Sequence, residues 1–224
     1  MNTRVYIADV STLSHKATFD RLYSFVPEYR RQKIDRIKNE AGKCLSLGVG
    51  LLLKGACEDF GIVGADEHIL YTESGKPYFE KYSKIHFSLS HSYERAMCVM
   101  STYEVGCDVE KVRGNKLKLA ERFYTPEEFE WIKGLEGEDA QNEGFYRIWT
   151  LKESYMKLTG LGFVLSPEKF GFRMDGDRIV LDHEGAKPEV LFRELDCQDG
   201  YKYACCLKNA PVDCIIDVEK RLYR

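Results

Sequence analysis

Two carboxylates stand in an alternating segment near the middle of the chain. Between residues 105 and 110, the apolar residues Val105, Cys107 and Val109 alternate with a glycine, Asp108 and Glu110. Successive side chains of a β-strand point to opposite faces, so this pattern predicts a strand with both carboxylates on one face. Mg²⁺ takes such hard oxygen ligands together with water and phosphate oxygens. An exposed strand that carries ordinary acidic residues would show the same pattern. The assignment of a metal site therefore depends on further ligands elsewhere in the sequence.

A second group of reactive side chains lies in a segment predicted to be helical, from about residue 142 to residue 158. Trp149, Lys152, Glu153 and Lys157 lie near one another on such a helix through spacings of three and four residues. Glu153 can complete a metal site, and the two lysines can face phosphates. A surface pair of Glu153 and Lys157 beside a buried tryptophan is the structural alternative.

Further polar groups offer contacts to an anionic ligand. Ser90 and His91 end a predicted strand that starts at Ile85, and Lys76 lies in a Gly-Lys-Pro turn. A structural histidine or a plain turn would explain each feature alone. A Ser-His hydrolase dyad is disfavoured, because adjacent strand residues point to opposite faces and no G-x-S-x-G segment occurs. Basic residues are also concentrated in one predicted helical stretch: Arg30, Arg31, Lys33, Arg36, Lys38 and Lys43.

Composition excludes several classes of protein. The 224 residues carry a net charge of -3, which disfavours a strongly basic nucleic-acid binder. No apolar run approaches the length of a membrane span, and the N-terminus reads as a strand rather than a signal peptide. The eight cysteines form no C-x-x-C pair, which favours reduced thiols in a cytoplasmic protein.

These candidate residues need a fold that positions them. The first half predicts a strand at residues 5–10, a helical region at about 20–60, and then short strands. The second half predicts the strand with the two carboxylates, a helix that starts at Thr125-Pro126, the helix at 142–158 and several short strands. This order predicts an α+β fold with two similar lobes, an N-terminal lobe at 1–103 and a C-terminal lobe at 104–224.

Taken in order, these motifs resemble those of the 4′-phosphopantetheinyl transferases of the long, two-lobed type that activates peptide synthetases such as surfactin synthetase. The family signatures [V/I]-G-[hydrophobic]-D-[hydrophobic]-E and W-x-x-K-E-[S/A]-x-x-K correspond to residues 105–110 and 149–157. The Gly-Lys-Pro turn, the Ser-His-Ser strand end and the arginine-rich helix after Pro27 also fit. The resemblance implies α/β lobes related by pseudo-twofold symmetry, an active site in the cleft between them, and a monomer.

The resemblance also implies a reaction. A Mg²⁺-dependent enzyme would transfer the 4′-phosphopantetheine group of coenzyme A (CoA) to a serine of an apo acyl or peptidyl carrier protein, releasing adenosine 3′,5′-bisphosphate. Asp108, Glu110 and Glu153 would hold the metal, while Lys157 and Lys152 would stabilise phosphate charge. The base would be Glu153 or a metal-bound hydroxide. CoA would be bound by residues of both lobes: Arg30, Lys33, Lys43, Lys76, Ser90, His91, Asp108 and Lys157.

Two other functions share some of these features. A Mg²⁺-dependent nucleotide phosphohydrolase would use the same carboxylates and lysines, and a non-catalytic module could bind CoA or a carrier protein only. By the tendency of the family that the chain resembles, its two-lobe length favours a broad-range enzyme of secondary metabolite biosynthesis. The sequence leaves open the carrier protein, the basic residue between 30 and 43 that contacts CoA, and the choice of Mg²⁺ or Mn²⁺. Phe123, Tyr124 and the segment 111–118 are candidates for a carrier-docking surface.

Overall fold

The computed structural model describes residues 3–114, 116–175, 178–183 and 189–222. Six α-helices and eleven strands form in this part of the chain, together with four short 3-10 turns. In chain order they are β1 (Thr3–Asp9), α1 (Lys16–Tyr23), α2 (Glu28–Asp35), α3 (Glu40–Asp59), β2 (Ile69–Tyr71), β3 (Pro77–Phe79), β4 (His86–Ser92), β5 (Arg95–Ser101), β6 (Val105–Lys111), α4 (Leu117–Phe123), α5 (Pro126–Lys133), α6 (Glu138–Thr159), β7 (Phe170–Asp175), β8 (Arg178–His183), β9 (Val190–Leu195), β10 (Tyr201–Lys208) and β11 (Ile216–Lys220). The predicted α+β class is confirmed.

The chain divides into two compact units. Unit 1 comprises Met1–Val105 and Asp213–Arg224, and unit 2 comprises Gly106–Val212. The sequence-based division assigned residues 213–224 to the C-terminal lobe, whereas their contacts group them with unit 1. None of the helices in the described ranges is both long and apolar enough to cross a membrane.

Unit 1 is built on a four-stranded sheet with the strand order β11-β1-β5-β4. Strand β1 pairs antiparallel with β5 and parallel with β11. Helix α3 packs closely on this sheet: a Cβ on Gly48 would lie 3.4 Å from Cβ of Ala96 in β5 and 2.4 Å from Cγ1 of Val10, the residue after β1. The apolar side chains between α3 and the sheet form the core of this unit.

The helical region predicted at about 20–60 consists of three helices, the first of which begins at Lys16 and the last of which ends at Asp59. Pro27 precedes α2 with extended backbone, and a proline ring is tolerated there but not in a helix interior. The chain leaves α2 after Asp35 and re-enters a helix at Glu40. The side chain of Asn39 accepts a hydrogen bond from the amide of Gly42 at 2.6 Å, which caps α3.

The C-terminal strand is held in unit 1 by charge as well as by strand pairing. The side chain of Asp59, at the end of α3, is 2% exposed and pairs with the guanidinium of Arg221. Arg4 of β1 lies 3.7 Å from the same carboxylate. A buried carboxylate needs such partners, so these contacts tie residues 216–221 to the first strand and the long helix.

Unit 2 contains a three-stranded sheet with the order β6-β10-β9 and a separate β7-β8 hairpin. Helix α6 packs along β10, and Tyr155, Phe170 and Phe192 contribute to the core beside it. The predicted start of α5 is confirmed, because Thr125 and Glu128 form a capping box. Helix α6 ends at Gly160 as predicted, but it begins at residue 138 rather than at about 142, and α4 was not predicted.

Candidate active site

A glycine sets the distance between β6 and α6. A Cβ on Gly106 would lie 1.9 Å from the carbonyl oxygen of Ser154 and 2.5 Å from the amide nitrogen of Leu158. Only glycine therefore allows the strand backbone to lie directly against the helix backbone at this point. Because side chains alternate along a strand, Asp108 and Glu110 follow Gly106 on the side that faces α6.

The contact between strand and helix brings Asp108 to Lys157. The lysine Nζ donates a hydrogen bond to Oδ1 of Asp108 at 2.7 Å. The Asp108 side chain is 5% exposed, whereas that of Lys157 is 31% exposed. Burial opposes the charge of Lys157, but the neighbouring Asp108 and Cys107 outweigh it and raise the pKa of this lysine. Lys157 therefore carries a positive charge beside the carboxylates.

Glu153 lies one helical turn before Lys157 and is half-buried. Burial and then the negative charge of Asp108 raise the pKa of Glu153 to about 7, with a smaller contribution from Glu110 and an opposing one from Lys157. The predicted metal-binding residues thus lie near enough to repel one another. A carboxyl group with a pKa near neutrality can hold or release a proton at physiological pH.

The second predicted catalytic lysine has a different environment. The Lys152 side chain is 0% exposed, and its Nζ lies 2.8 Å from Oε2 of Glu128. It also donates to the carbonyl oxygens of Pro167 at 2.8 Å and Phe170 at 2.5 Å. Burial lowers the pKa of Lys152, although Glu128 acts in the opposite direction. The structure therefore brings Lys157 to the carboxylates and turns Lys152 towards β7 and α5.

A divalent cation fits the chemistry of this cluster. Asp108, Glu110 and Glu153 supply the oxygen ligands that Mg²⁺ prefers, and their mutual repulsion is what a cation would relieve. Within the described ranges, however, no group of three histidine, cysteine, aspartate or glutamate side chains is arranged to ligate a metal. The ammonium of Lys157 stands at the Asp108 carboxylate instead. The metal assignment of these residues remains a prediction.

In unit 1, Arg30 and Lys33 form a pair of cations on α2. Arg30 is 5% exposed, and its guanidinium lies 5.5 Å from the ring centroid of Tyr29. Its Nε has no hydrogen-bond partner in the described part of the chain. Burial and the charge of Arg30 lower the pKa of Lys33. A buried guanidinium with an unsatisfied donor beside a second, repelled cation is suited to binding an anion.

Lys43 and Lys76 have different surroundings. Nζ of Lys43 lies 2.7 Å from Oε1 of Glu40 in the first turn of α3. Lys43 also lines an open cavity of about 610 Å³ among α1, α2 and α3, whose lining does not include Arg30 or Lys33. Lys76 lies in the turn between β2 and β3, where its amide donates to Oγ1 of Thr72 at 3.0 Å.

Ser90 and His91 lie on β4, the strand at one edge of the unit 1 sheet. Ser90 pairs with Met97 and His91 with Ala96, so the two side chains point to opposite faces. His91 is exposed and shares the face of Ala96 that packs towards α3, whereas Ser90 is 6% exposed on the other face. Because the two side chains point to opposite faces, both could contact one phosphate only if the ligand lay at the outer edge of β4.

Two important residues escaped the sequence interpretation. Glu128 was recognised only as the third residue of a capping box, and its pairing with Lys152 depends on a contact across the fold. Gly106 was placed in an alternating strand, without the close approach to α6 that its missing side chain permits. Tyr124, a candidate docking residue, is 4% exposed and donates its hydroxyl hydrogen to the Phe145 carbonyl oxygen at 2.7 Å, so it offers little surface.

Comparisons with known proteins agree with the motifs. The family model described as the 4′-phosphopantetheinyl transferase superfamily matches residues 104–206. A 4′-phosphopantetheinyl transferase from Bacillus subtilis is 30% identical over 84% of this chain and 84% of its own length. The 4′-phosphopantetheinyl transferase ffp from the same species is 32% identical over 87% of each chain.

The similarity to solved structures is weaker. The crystal structure of a holo-(acyl-carrier-protein) synthase from Bacillus anthracis in complex with CoA (3′,5′-ADP) aligns with 48% of this chain and 97% of that one. The TM-score is 0.41, with 22% sequence identity.

The two relatives, at 30% and 32% identity over more than four fifths of each chain, define the class of protein. The chain belongs to the 4′-phosphopantetheinyl transferase superfamily. The interpretation of the two motifs as those of a phosphopantetheinyl transferase, and hence of an enzyme, is confirmed. Both signatures lie inside the segment that the family model matches, and both contribute to the cluster of Asp108, Glu153 and Lys157.

Proposed function

We propose that this chain transfers the 4′-phosphopantetheine group of CoA to a serine of an apo acyl or peptidyl carrier protein. The observation that carries the proposal is the cluster of Asp108, Glu153 and Lys157, formed by the two family motifs of unit 2. The serine oxygen would form a bond to the phosphorus that bears the pantetheine arm. The pyrophosphate P–O bond would break, and adenosine 3′,5′-bisphosphate would leave.

Asp108, Glu110 and Glu153 would hold Mg²⁺. A bound cation of this kind neutralises pyrophosphate charge and acts as a Lewis acid. The ammonium of Lys157 is already beside these carboxylates and would stabilise charge on the phosphate under attack. The choice between Mg²⁺ and Mn²⁺ remains open.

Glu153 would accept the proton of the attacking serine. A serine hydroxyl is a weak nucleophile and needs a base. In the metal-free protein, burial and the charge of Asp108 raise the pKa of Glu153 to about 7, whereas a bound Mg²⁺ would lower this pKa and favour the ionised carboxylate that can accept a proton. The positive charge of Lys157, four residues later on the same helix face, would stabilise the ionised form of Glu153.

CoA would be held through its phosphates by the cations of α2. Arg30 and Lys33 support this assignment, because an anion would satisfy the buried guanidinium and relieve the repulsion from Lys33. Lys43, Lys76, Ser90 and His91 remain further candidates for contacts with CoA; Lys43 lines a cavity that does not include Arg30 or Lys33, and Ser90 and His91 point to opposite faces of β4. The position of the active site in a cleft between two lobes, the monomeric state and the cytoplasmic location remain predictions.

The first experiment measures transfer directly. Apo carrier proteins would be incubated with CoA and Mg²⁺ and weighed by intact-mass spectrometry, with a mass gain of one phosphopantetheine arm expected. Asp108→Asn and Glu153→Gln should lose this gain while keeping the wild-type unfolding curve. Glu143→Gln is the matched control, because Glu143 lies on the same helix and pairs with Lys202 on the surface. Full transfer by Asp108→Asn or Glu153→Gln would contradict the assignment.

The second experiment tests the anion site on α2. Loss of one charged hydrogen bond costs about 1.5–3 kcal/mol, so Arg30→Met should weaken CoA binding by roughly tenfold or more in calorimetry. The comparison variant is Arg31→Met, because Arg31 is already held by Glu28 and the Val26 carbonyl oxygen. His91→Ala should mainly raise the KM for CoA. Equal CoA affinity in Arg30→Met and the wild type would remove Arg30 from the site.

The same assays separate the two alternative functions. Release of phosphate from nucleotides without a carrier protein would favour a phosphohydrolase. Binding of CoA with no mass gain on any carrier would favour a non-catalytic module. The pattern of modified carriers would show whether fatty-acid, polyketide or peptide synthetase carriers are used.

A further inference from the structure

The ammonium group of Lys152 has no hydrogen left for a substrate. A protonated lysine has three N–H donors and no acceptor. Here the three acceptors are Oε2 of Glu128 and the carbonyl oxygens of Pro167 and Phe170. The rings of Tyr124, Phe170 and Phe172 lie within 5.8 Å of the same nitrogen. A substrate phosphate could reach this group only by displacing a buried partner.

Glu128 is engaged just as fully. Its Oε1 accepts from the amide of Phe172 at 2.9 Å, and its Oε2 accepts from the amide of Thr125 at 3.0 Å. Glu128 is 4% exposed. An open cavity of about 990 Å³ is lined by Glu128, Phe170 and Phe172 among others, but not by Lys152. The pair therefore joins the N-terminus of α5, the middle of α6 and the start of β7 in one buried network.

The network lies on a different face of α6 from the reactive residues, with Lys152 and Glu153 about 100° apart. Successive helical residues turn by about 100°, so Lys152 and Lys157 point about 140° apart, whereas Glu153 and Lys157 lie within about 40° of each other. A contact that fixes Lys152 therefore fixes the rotation and axial position of α6. That position determines where Glu153 meets Asp108 of β6.

We propose that Lys152 is a positioning residue that, through its buried pair with Glu128, holds Glu153 and Lys157 at the carboxylates of β6. Lys152 touches neither CoA nor the carrier serine. The effect of Lys152 on the reaction rate rests on the proposed transferase function. This inference replaces the direct catalytic role that the W-x-x-K-E motif suggested for Lys152.

The test is a double-mutant cycle with Lys152→Met, Glu128→Gln and the double variant. Supporting residues around a metal site typically contribute roughly 10–100-fold to metal affinity or activity. Each single variant should lower kcat by roughly tenfold or more and weaken Mn²⁺ binding, measured by electron paramagnetic resonance, with the KM for CoA nearly unchanged. The double variant should be no worse than the singles, because both act through one contact.

The matched control is Arg147→Met. Arg147 also lies on α6, and its guanidinium joins the helix to Glu194 of β9 through two hydrogen bonds of 2.7 Å. This variant should lower the unfolding temperature while leaving kcat and Mn²⁺ affinity nearly unchanged. A merely structural role for Lys152 would give the same result as this control and would overturn the proposal.

The outcomes distinguish positioning from chemistry. If Lys152 acts on the substrate, Glu128→Gln should keep wild-type kcat while Lys152→Met loses it, and that result would overturn the proposal. A folded Glu128→Gln variant with unchanged Mn²⁺ affinity would also overturn it. Failure of the wild type to modify any carrier would refute the proposed function instead, and the Mn²⁺ measurements would still test the positioning role.

Discussion

Substitution of Gly106 by alanine tests the close approach of β6 to α6. The added Cβ would meet the Ser154 carbonyl oxygen at 1.9 Å, the Leu158 amide nitrogen at 2.5 Å and the Leu158 Cα at 3.0 Å. All three atoms belong to the helix backbone, so no flexible side chain can move aside. The strand and the helix must separate if the protein is to fold at all.

The size of the effect follows from these distances. An ordinary contact of a Cβ begins at about 3.4 Å, so the two elements must move apart by about 1.5 Å. Overpacking of a well-packed core costs about 1–3 kcal/mol, and a backbone clash of this kind lies at or above the upper end of that range. A misplacement of about 1 Å in a catalytic group can cost on the order of a hundredfold in rate. Asp108 and Lys157 sit on the two elements that must separate.

The assay combines chemical denaturation with steady-state kinetics on the carrier that the wild type modifies. Gly106→Ala should lower both the free energy of unfolding and kcat, and the ion pair of Asp108 and Lys157 should lengthen in a crystal structure. Gly55→Ala is the control, because Gly55 lies in α3 with no atom within 4 Å of an added Cβ. That variant should gain about 0.5–1 kcal/mol of stability. Wild-type stability and kcat in Gly106→Ala would refute the reasoning.

Three further predictions concern single residues. The pKa of Glu153 is raised to about 7, so the folded state holds this proton more tightly than the unfolded chain. The free energy of unfolding of the metal-free protein should therefore fall as the pH rises from about 5 to about 8. Glu153→Gln should abolish this part of the pH dependence. Gly160 has a φ of 73°, so Gly160→Ala should cost about 1 kcal/mol in denaturation, whereas Gly134→Ala, at a φ of -73°, should not. Asp59→Asn removes one of the two carboxylate partners of Arg221 and should cost about 1.5–3 kcal/mol, with earlier proteolysis of the C-terminal strand as a second measurement.

Local signals predicted the elements that carry their own start and stop residues. The capping box at Thr125 and the left-handed glycine at residue 160 are set by neighbours within a few residues, so sequence alone revealed them. The extra breaks in the region 20–60 are less visible, because residues 36–39 carry no strong stop signal apart from a capping asparagine. The pairing of β11 with β1 joins the two ends of the chain, and no local pattern encodes such a contact.

The site shows the same division between local and distant information. Alternation along β6 correctly placed Asp108 and Glu110 on one face, and helical spacing correctly placed Glu153 near Lys157. The raised pKa of Glu153 needed the distance between strand and helix, which depends on the absent side chain of Gly106. The unsatisfied guanidinium nitrogen of Arg30 could not be inferred from a basic run in which every residue looks alike.

Lys152 and Lys157 show where a motif match stops and geometry must take over. Both lysines belong to one signature, and both were predicted to face phosphates. The side chain of Lys157 is 31% exposed beside a carboxylate, whereas the three N–H donors of Lys152 all bond to buried oxygens. A motif records that a residue type is needed at a position, and it does so equally for a residue that touches the substrate and for one that fixes the helix. Counting the donors of each ammonium separates the two lysines: only Lys157 keeps the exposure that the proposed contact with a phosphate requires.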